Sequence, residues 1–228
     1  MNATEASLTS GTRPGEVCVV ATGSANLASV LAALERLGVE VRLTDRASDV
    51  SGATRLVLPG VGAFGAAMRT LHERGLVEPL RERLMEGRPT LCICLGMQLL
   101  ARESEESPGV RGLGVMNASV RRLEPGQGRR VPQLGWNRVE CVGSAYLSSG
   151  WAYYAHSYAL TETPAGWLGA TTEYGVRFCG AIERRGVLAC QFHPELSGPW
   201  GAGVIRSWLE RSTEMAREVA PGLSREGR

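Results

Sequence analysis

Four short apolar runs, 16–22, 40–44, 55–58 and 90–93, are separated by segments with helical patterning. Residues 27–37 carry their apolar side chains on one helical face and stop at Gly38. Residues 66–74 and 77–86 are also helix-compatible, with Gly75 between them. Runs this short read as strands, and strands that alternate with helices cannot pair as simple hairpins. They build a doubly wound α/β fold, a mostly parallel sheet covered on both faces, which binds ligands at the carboxyl ends of its strands. The second half breaks this rhythm. The runs 115–122, 137–142, 153–160, 167–172 and 177–182 crowd together with many turn residues, which predicts a mixed, more antiparallel β section. Residues 187–192 read as another buried strand and 203–219 as the last helix. The expectation is one α/β domain over 16–218, with a disordered polar extension over 1–15 and a tail over 219–228.

Composition narrows the class. With 43% apolar and 21% charged residues, the 228-residue chain can bury a full core. A net charge of +2 gives no reason to expect a nucleic acid or a membrane surface as partner. No apolar run approaches the roughly 20 residues of a membrane span, and residues 1–15 lack the apolar centre of a signal peptide. Six cysteines, at 18, 92, 94, 141, 179 and 190, fall mostly in strand-like runs without CxxC pairs. That argues against a disulfide framework and structural zinc, and for a reducing cytoplasm.

The chemistry concentrates at three strand ends. The run 90–93 leads into Cys94, then Leu95, Gly96, Met97 and Gln98, all suited to a helix. A sharp strand-to-helix turn exposes its turn residue at the sheet edge, as in a nucleophile elbow. The first amides of the following helix favour a negative sulfur there. Cys94 is therefore a candidate nucleophile; the plain alternative is that Cys92 and Cys94 are both buried apolar cysteines. Of three histidines, His72 lies among charged residues of a surface helix. His156 sits in an aromatic run and reads as core or ligand wall. His193 follows an apolar strand, with Pro194 to stop it and Glu195 two residues on. A general base held by a carboxylate needs that arrangement. The chain order differs from that of the α/β-hydrolases, where the acid precedes the histidine. The third strand end, Pro59-Gly60-Val61-Gly62, can turn backbone amides outward to bind an oxyanion, or can be a plain turn. It is too short for a phosphate loop and no Gly-Lys-Ser/Thr follows.

Leu95-Gly96-Met97-Gln98 after the cysteine, Gln191-Phe192-His193-Pro194-Glu195 and Pro59-Gly60-Val61-Gly62 together resemble the class I (triad) glutamine amidotransferases, whose fold is flavodoxin-like. Residues 58–65, Gly135-Trp136-Asn137 and His156-Ser157-Tyr158 are similar to the glutaminase subunits of imidazole glycerol phosphate synthases, of histidine biosynthesis. The resemblance implies that Cys94 attacks the glutamine carboxamide, that His193 shuttles the proton and that Glu195 orients His193. It implies an oxyanion hole at Val61, Gly62 and Leu95, and substrate contacts from Gly60, Gln98, Ser157 and Tyr158. It implies a heterodimer with a (βα)8-barrel synthase (cyclase) subunit that uses the ammonia, and no metal or organic cofactor. The alternatives are the glutaminase of anthranilate, pyridoxal phosphate or guanylate synthesis, or a non-catalytic regulatory module. The chain departs from the family pattern at Cys92 (usually Gly), Gln133 (often His), Leu196 (usually Lys) and the turn from Ala21 to Asn26. The last three departures are expected where the family meets its synthase.

Overall fold

A computed structural model describes residues 15–21, 27–124, 126 and 128–219. The extension expected over 1–15, apart from Gly15, and the tail beyond Val219 lie outside them, as does the turn at 22–26. The alternating half comprises β1 (Val17–Val20), α1 (Leu27–Arg36), β2 (Val41–Thr44), α2 (Ala47–Gly52), β3 (Leu56–Leu58), α3 (Phe64–Glu73), α4 (Val77–Glu86), β4 (Thr90–Ile93) and α5 (Leu95–Gln98). The second half comprises β5 (Glu103–Ser104), β6 (Ser119–Arg122), β7 (Gln133–Val139), β8 (Gly150–His156), β9 (Tyr158–Ala159), β10 (Leu168–Glu173), β11 (Arg177–Arg184) and β12 (Val187–Cys190). A 3-10 turn, Pro194–Leu196, then leads into α6 (Gly198–Val219).

Among the described residues, seven strands form the main sheet, in the order β10-β11-β12-β4-β3-β1-β2. β12, β4, β3, β1 and β2 are parallel. β11 and β10 add antiparallel at one edge. The doubly wound α/β expectation and its mixed second half hold. Successive side chains of a strand point to opposite faces, and the core divides accordingly. Cys18, Leu56, Leu58 and Cys92 pack on one face with Val50, Phe64, Met68, Leu71, Leu80 and Leu84 of α2, α3 and α4. Val17, Val19, Val57, Leu91 and Ile93 pack on the other with Val30 and Leu34 of α1 and Val204, Ile205 and Trp208 of α6. Truncating one such residue, Leu91→Ala for example, is expected to cost about 2–5 kcal/mol. No helix among the described residues is long and apolar enough to cross a membrane.

Several boundaries differ from expectation for identifiable reasons. The helix after Cys94 ends at Gln98. The carbonyls of Leu99, Leu100 and Ala101 instead accept from the amides of Leu113, Val115, Met116 and Gly114, as the chain doubles back on itself. The run 153–160 is broken at Ser157 into β8 and β9, because its two halves pair with different strands, β7 and β6. The last helix starts at Gly198, one turn and more before 203. α2 carries no strong sequence signal; Asp49 anchors it through Thr44 Oγ1 at 2.8 Å and Arg42 at 2.8 Å.

Candidate active site

β4 lies between β3 and β12, so its carboxyl end opens at the middle of the seven-stranded sheet. There Cys94 turns the chain with φ 52° and ψ −108°, a positive φ that a side-chain-bearing residue rarely adopts. Its amide is held by the Cys190 carbonyl at 2.7 Å. The turn is possible because Gly96 follows: a Cβ there would sit 2.1 Å from the Leu58 carbonyl oxygen. Gly60 answers from β3's end, where a Cβ would meet Leu95 Cβ at 2.8 Å. The sharp turn thus comes from two glycine backbones in close approach.

β12, the parallel neighbour of β4, delivers the histidine. Cys190 pairs with Ile93 in register, so the residues just past Cys190 arrive beside Cys94. His193 is buried, with its amide on the Tyr153 carbonyl at 2.9 Å. Its Nδ1 lies 2.8 Å from Glu195 Oε1, and its ring hydrogen-bonds the Cys94 side chain. Burial alone would lower the imidazole, but the hydrogen bonds and negative charges of Cys94 and Glu195 outweigh it and push His193 up to about 10. Burial pushes the Cys92 thiol far above the ordinary range, and Cys92 points into the opposite core face. Cys92 in the strand and Cys94 at its turn thus face different surroundings.

A cavity of about 230 Å³ opens in front of the sulfur. Val61, Gly62, Leu95 and Gln98 form one side, and Ala155, His156, Ser157 and Tyr158 the other. Pro132, Leu134 and Glu106 complete it. His156 is a buried wall residue, with Nδ1 3.0 Å from the Tyr158 carbonyl and Nε2 3.1 Å from the Gln133 carboxamide. Burial lowers His156 to about 4, so it stays neutral. His72 is exposed on α3.

The chain matches the family model Glutamine amidotransferase class-I over residues 19–210. It is 41% identical to the imidazole glycerol phosphate synthase subunit HisH of Deinococcus radiodurans over 211 residues, 90% of this chain and 95% of that one. The same subunit of Methanothermobacter thermautotrophicus is 41% identical over 198 residues, 85% and 98% of the two chains. The chain belongs to the class-I glutamine amidotransferases, in their HisH group. In keeping with this, a solved glutamine amidotransferase structure superposes with a TM-score of 0.68 at 25% identity, covering 86% of this chain and 98% of that one.

Within this amidotransferase, the residues expected to touch substrate fall into two groups, Gln98, Ser157 and Tyr158 on the cavity wall and Gly60 behind it. Gly60 lines a small void of about 10 Å³ behind His193 and Glu195, not the cavity in front of Cys94. Its role is close packing under the elbow. Leu95 borders the cavity, but its amide donates to the Gly60 carbonyl at 3.3 Å and is not aimed outward. The carbonyls of Ser157 and Tyr158 are already engaged, by the Leu123 amide at 2.8 Å and by Gln98 Nε2 at 2.7 Å. Val61 and Gly62 do line the cavity, Gly62 with φ 100°.

The departures from the family pattern fall in different places. Gln133 is 2% exposed and braces His156, so its side chain is buried and not at the surface. Leu196 is 38% exposed. Ala25 lies outside the described residues. Two residues of the site had no assigned role in the sequence. Glu106 lines the cavity, and its Oε2 accepts from the Phe64 amide at 2.7 Å, fastening the start of α3. Gln191 points its Nε2 at Cys94 Sγ, 3.7 Å away. It stood in the Gln-Phe-His-Pro-Glu motif; Glu106 had no signal beyond its acidic neighbours.

Proposed function

We propose that this amidotransferase hydrolyses glutamine to glutamate and ammonia, and passes the ammonia to a (βα)8-barrel synthase subunit. The pair then makes imidazole glycerol phosphate and aminoimidazole carboxamide ribotide in histidine biosynthesis. The observation that carries the reading is the sulfur–imidazole–carboxylate line of Cys94, His193 and Glu195 at the mouth of one cavity. At about 230 Å³ the cavity is below the ~300–1,000 Å³ of drug-sized sites and suits a single small amino acid.

In this reading the Cys94 sulfur attacks the side-chain carboxamide carbon of glutamine, and the carbonyl electron pair moves to oxygen. Collapse of the tetrahedral adduct expels ammonia, which takes its proton from the His193 imidazolium, and leaves a glutamyl thioester. Water, deprotonated by His193, attacks the thioester; glutamate departs and the sulfur is regenerated. Glu195 holds the ring and favours its cationic form. Glu106 is the acidic side chain on the cavity wall and complements the substrate's α-ammonium. The oxyanion donors are the amides of Val61, Gly62 and Leu95. For Leu95 to contribute, the Gly60–Val61 peptide must first turn away, and the glycines at 60 and 62 permit that.

The partner is supported by an exposed apolar face on the β7–β8 ribbon. Leu134, Trp136 and Trp151 are 67%, 54% and 56% exposed. Leu134 and Trp136 alternate on one side of β7, and large apolar patches of this kind mark protein interfaces. Leu134 also borders the cavity, so the ammonia would be released beside the docked subunit. The cytoplasm is the proposed setting, supported by six free thiols. Ammonia release from glutamine, assayed with and without a barrel synthase and its ligand, tests the function. Slow release alone and fast release together are expected; no release in either case would overturn it.

A further inference from the structure

One polar chain crosses the site without entering the steps above. The Tyr158 carbonyl accepts from Gln98 Nε2 at 2.7 Å, and the same nitrogen donates to Gln191 Oε1 at 3.2 Å. Gln191 Nε2 in turn approaches Cys94 Sγ at 3.7 Å. A peptide carbonyl only accepts, so it dictates which end of the Gln98 amide is the NH2. That NH2 dictates where the Gln191 oxygen lies, and leaves the Gln191 N–H aimed at sulfur. Gln191 has no exposed surface, and its backbone N–H is held by the Gly180 carbonyl at 2.9 Å. Neither its backbone nor its side chain is free to swing away. A carboxamide this deeply buried is costly unless its donors are used.

We propose that Gln191 is a positioning residue for the nucleophile: besides His193, it donates a second hydrogen bond to the Cys94 sulfur and ties it, through Gln98, to the Tyr158 wall of the cavity. The proposal rests on the reading of Cys94 as the nucleophile. No bond is made or broken at Gln191. Hydrogen bonds to an ionised acceptor are roughly twice as strong as neutral ones, so the contact strengthens when the thiol loses its proton. It also fixes the direction from which the sulfur meets a bound carboxamide. Among the described residues, the other titratable groups around the sulfur are His193, with Glu195 behind it, and His156, Tyr158 and Glu106 on the cavity wall. None of them duplicates the Gln191 N–H, whose direction toward the sulfur is fixed by Gln98.

The test reads the sulfur directly, by the pH dependence of iodoacetamide alkylation of the full chain. A Cys141→Ser background removes the one thiol that is not buried. Gln191→Met keeps the length and lacks the N–H. The alkylation midpoint should rise by about one pH unit, with the rate below the midpoint down about tenfold. Gln191→Glu keeps an oxygen for Gln98 and replaces the donor by an acceptor, so its midpoint should rise further. Unchanged midpoints in folded variants overturn the proposal. In the unsubstituted protein, the Gln191 side-chain amide resonances should shift as Cys94 ionises; no shift overturns it even if both variants fail to fold. If Cys94-dependent glutamine hydrolysis is present while midpoint and resonances stay fixed, only the Gln191 role falls. If they move but no glutamine is hydrolysed with the barrel synthase present, the glutaminase reading falls and the sulfur contact stands.

Discussion

The Leu95 amide donates to the Gly60 carbonyl at 3.3 Å. The first amide past the candidate nucleophile is therefore spent on the Gly60 loop packed directly beside it. A donor held this way cannot receive an oxyanion until the Gly60–Val61 peptide rotates. One oxyanion donor is worth roughly 10²–10³-fold in rate. The isolated chain is expected to hydrolyse glutamine slower than the complex by at least that factor. Steady-state ammonia release measures it; equal rates with and without the synthase would refute the switch.

Cys92 in β4 and Cys94 just past its end should separate cleanly. Cys94→Ala is expected to abolish glutamine hydrolysis, and His193→Ala to cost of order 10²–10⁴-fold in kcat. Cys92→Ala leaves the line of Cys94, His193 and Glu195 in place, because Cys92 packs into the other face of the sheet. It should keep activity within a few-fold while losing about 1–2 kcal/mol of stability. Assays of the three variants against their urea denaturation midpoints distinguish a chemical role from a packing one.

His193 links stability to alkaline pH. Its ring titrates near 6.5 when unperturbed and at about 10 in the folded chain. Below 6.5 both states carry the proton and the full stabilisation is present. Between 6.5 and 10 the unfolded chain loses its proton while the folded one keeps it, so stability falls as pH rises through that window. Glu195→Gln preserves a hydrogen-bond acceptor but removes the charge. It should bring the folded value down and flatten the slope. Denaturation at several pH values between 6 and 10 checks this, and an unaltered slope counts against it.

His156 does the opposite on the acid side. Burial lowers it from 6.5 to about 4, so its contribution is intact above 6.5 and is lost as pH falls toward 4. The accumulated loss by pH 4 is about 3 kcal/mol. His156→Gln, which cannot titrate, should remove that part of the acid sensitivity.

The residues legible in the sequence were those whose signal is local. Cys94 follows an apolar run and precedes a glycine; His193 follows another run and precedes Pro194 and Glu195. Gln98 and Gln191 sit in the same short motifs, but their partners do not. The Tyr158 carbonyl that organises both belongs to β9, whose position depends on pairing with β6. Glu106 reaches the cavity because the chain folds back after α5, and the carbonyls of 99–101 find amides at 113–116 in place of the next helical turn. Gln133 was expected at the synthase-facing surface from the resemblance alone, yet alternation along β7 turns it inward to His156.

The sequence by itself determined the doubly wound architecture, the turn at Cys94 and the family, because hydrophobic period, glycine placement and short motifs act over a few residues. Only the tertiary structure decided which groups share the cavity. That depends on β12 lying in register beside β4, with Cys190 opposite Ile93. A slip of one residue would turn the side chains of β12 to the opposite face of the sheet. It also decided that the Leu95 amide is engaged by Gly60 and that Gln191 faces the sulfur. Hydrogen-bond partners distant in sequence are chosen by packing, and no local pattern encodes them.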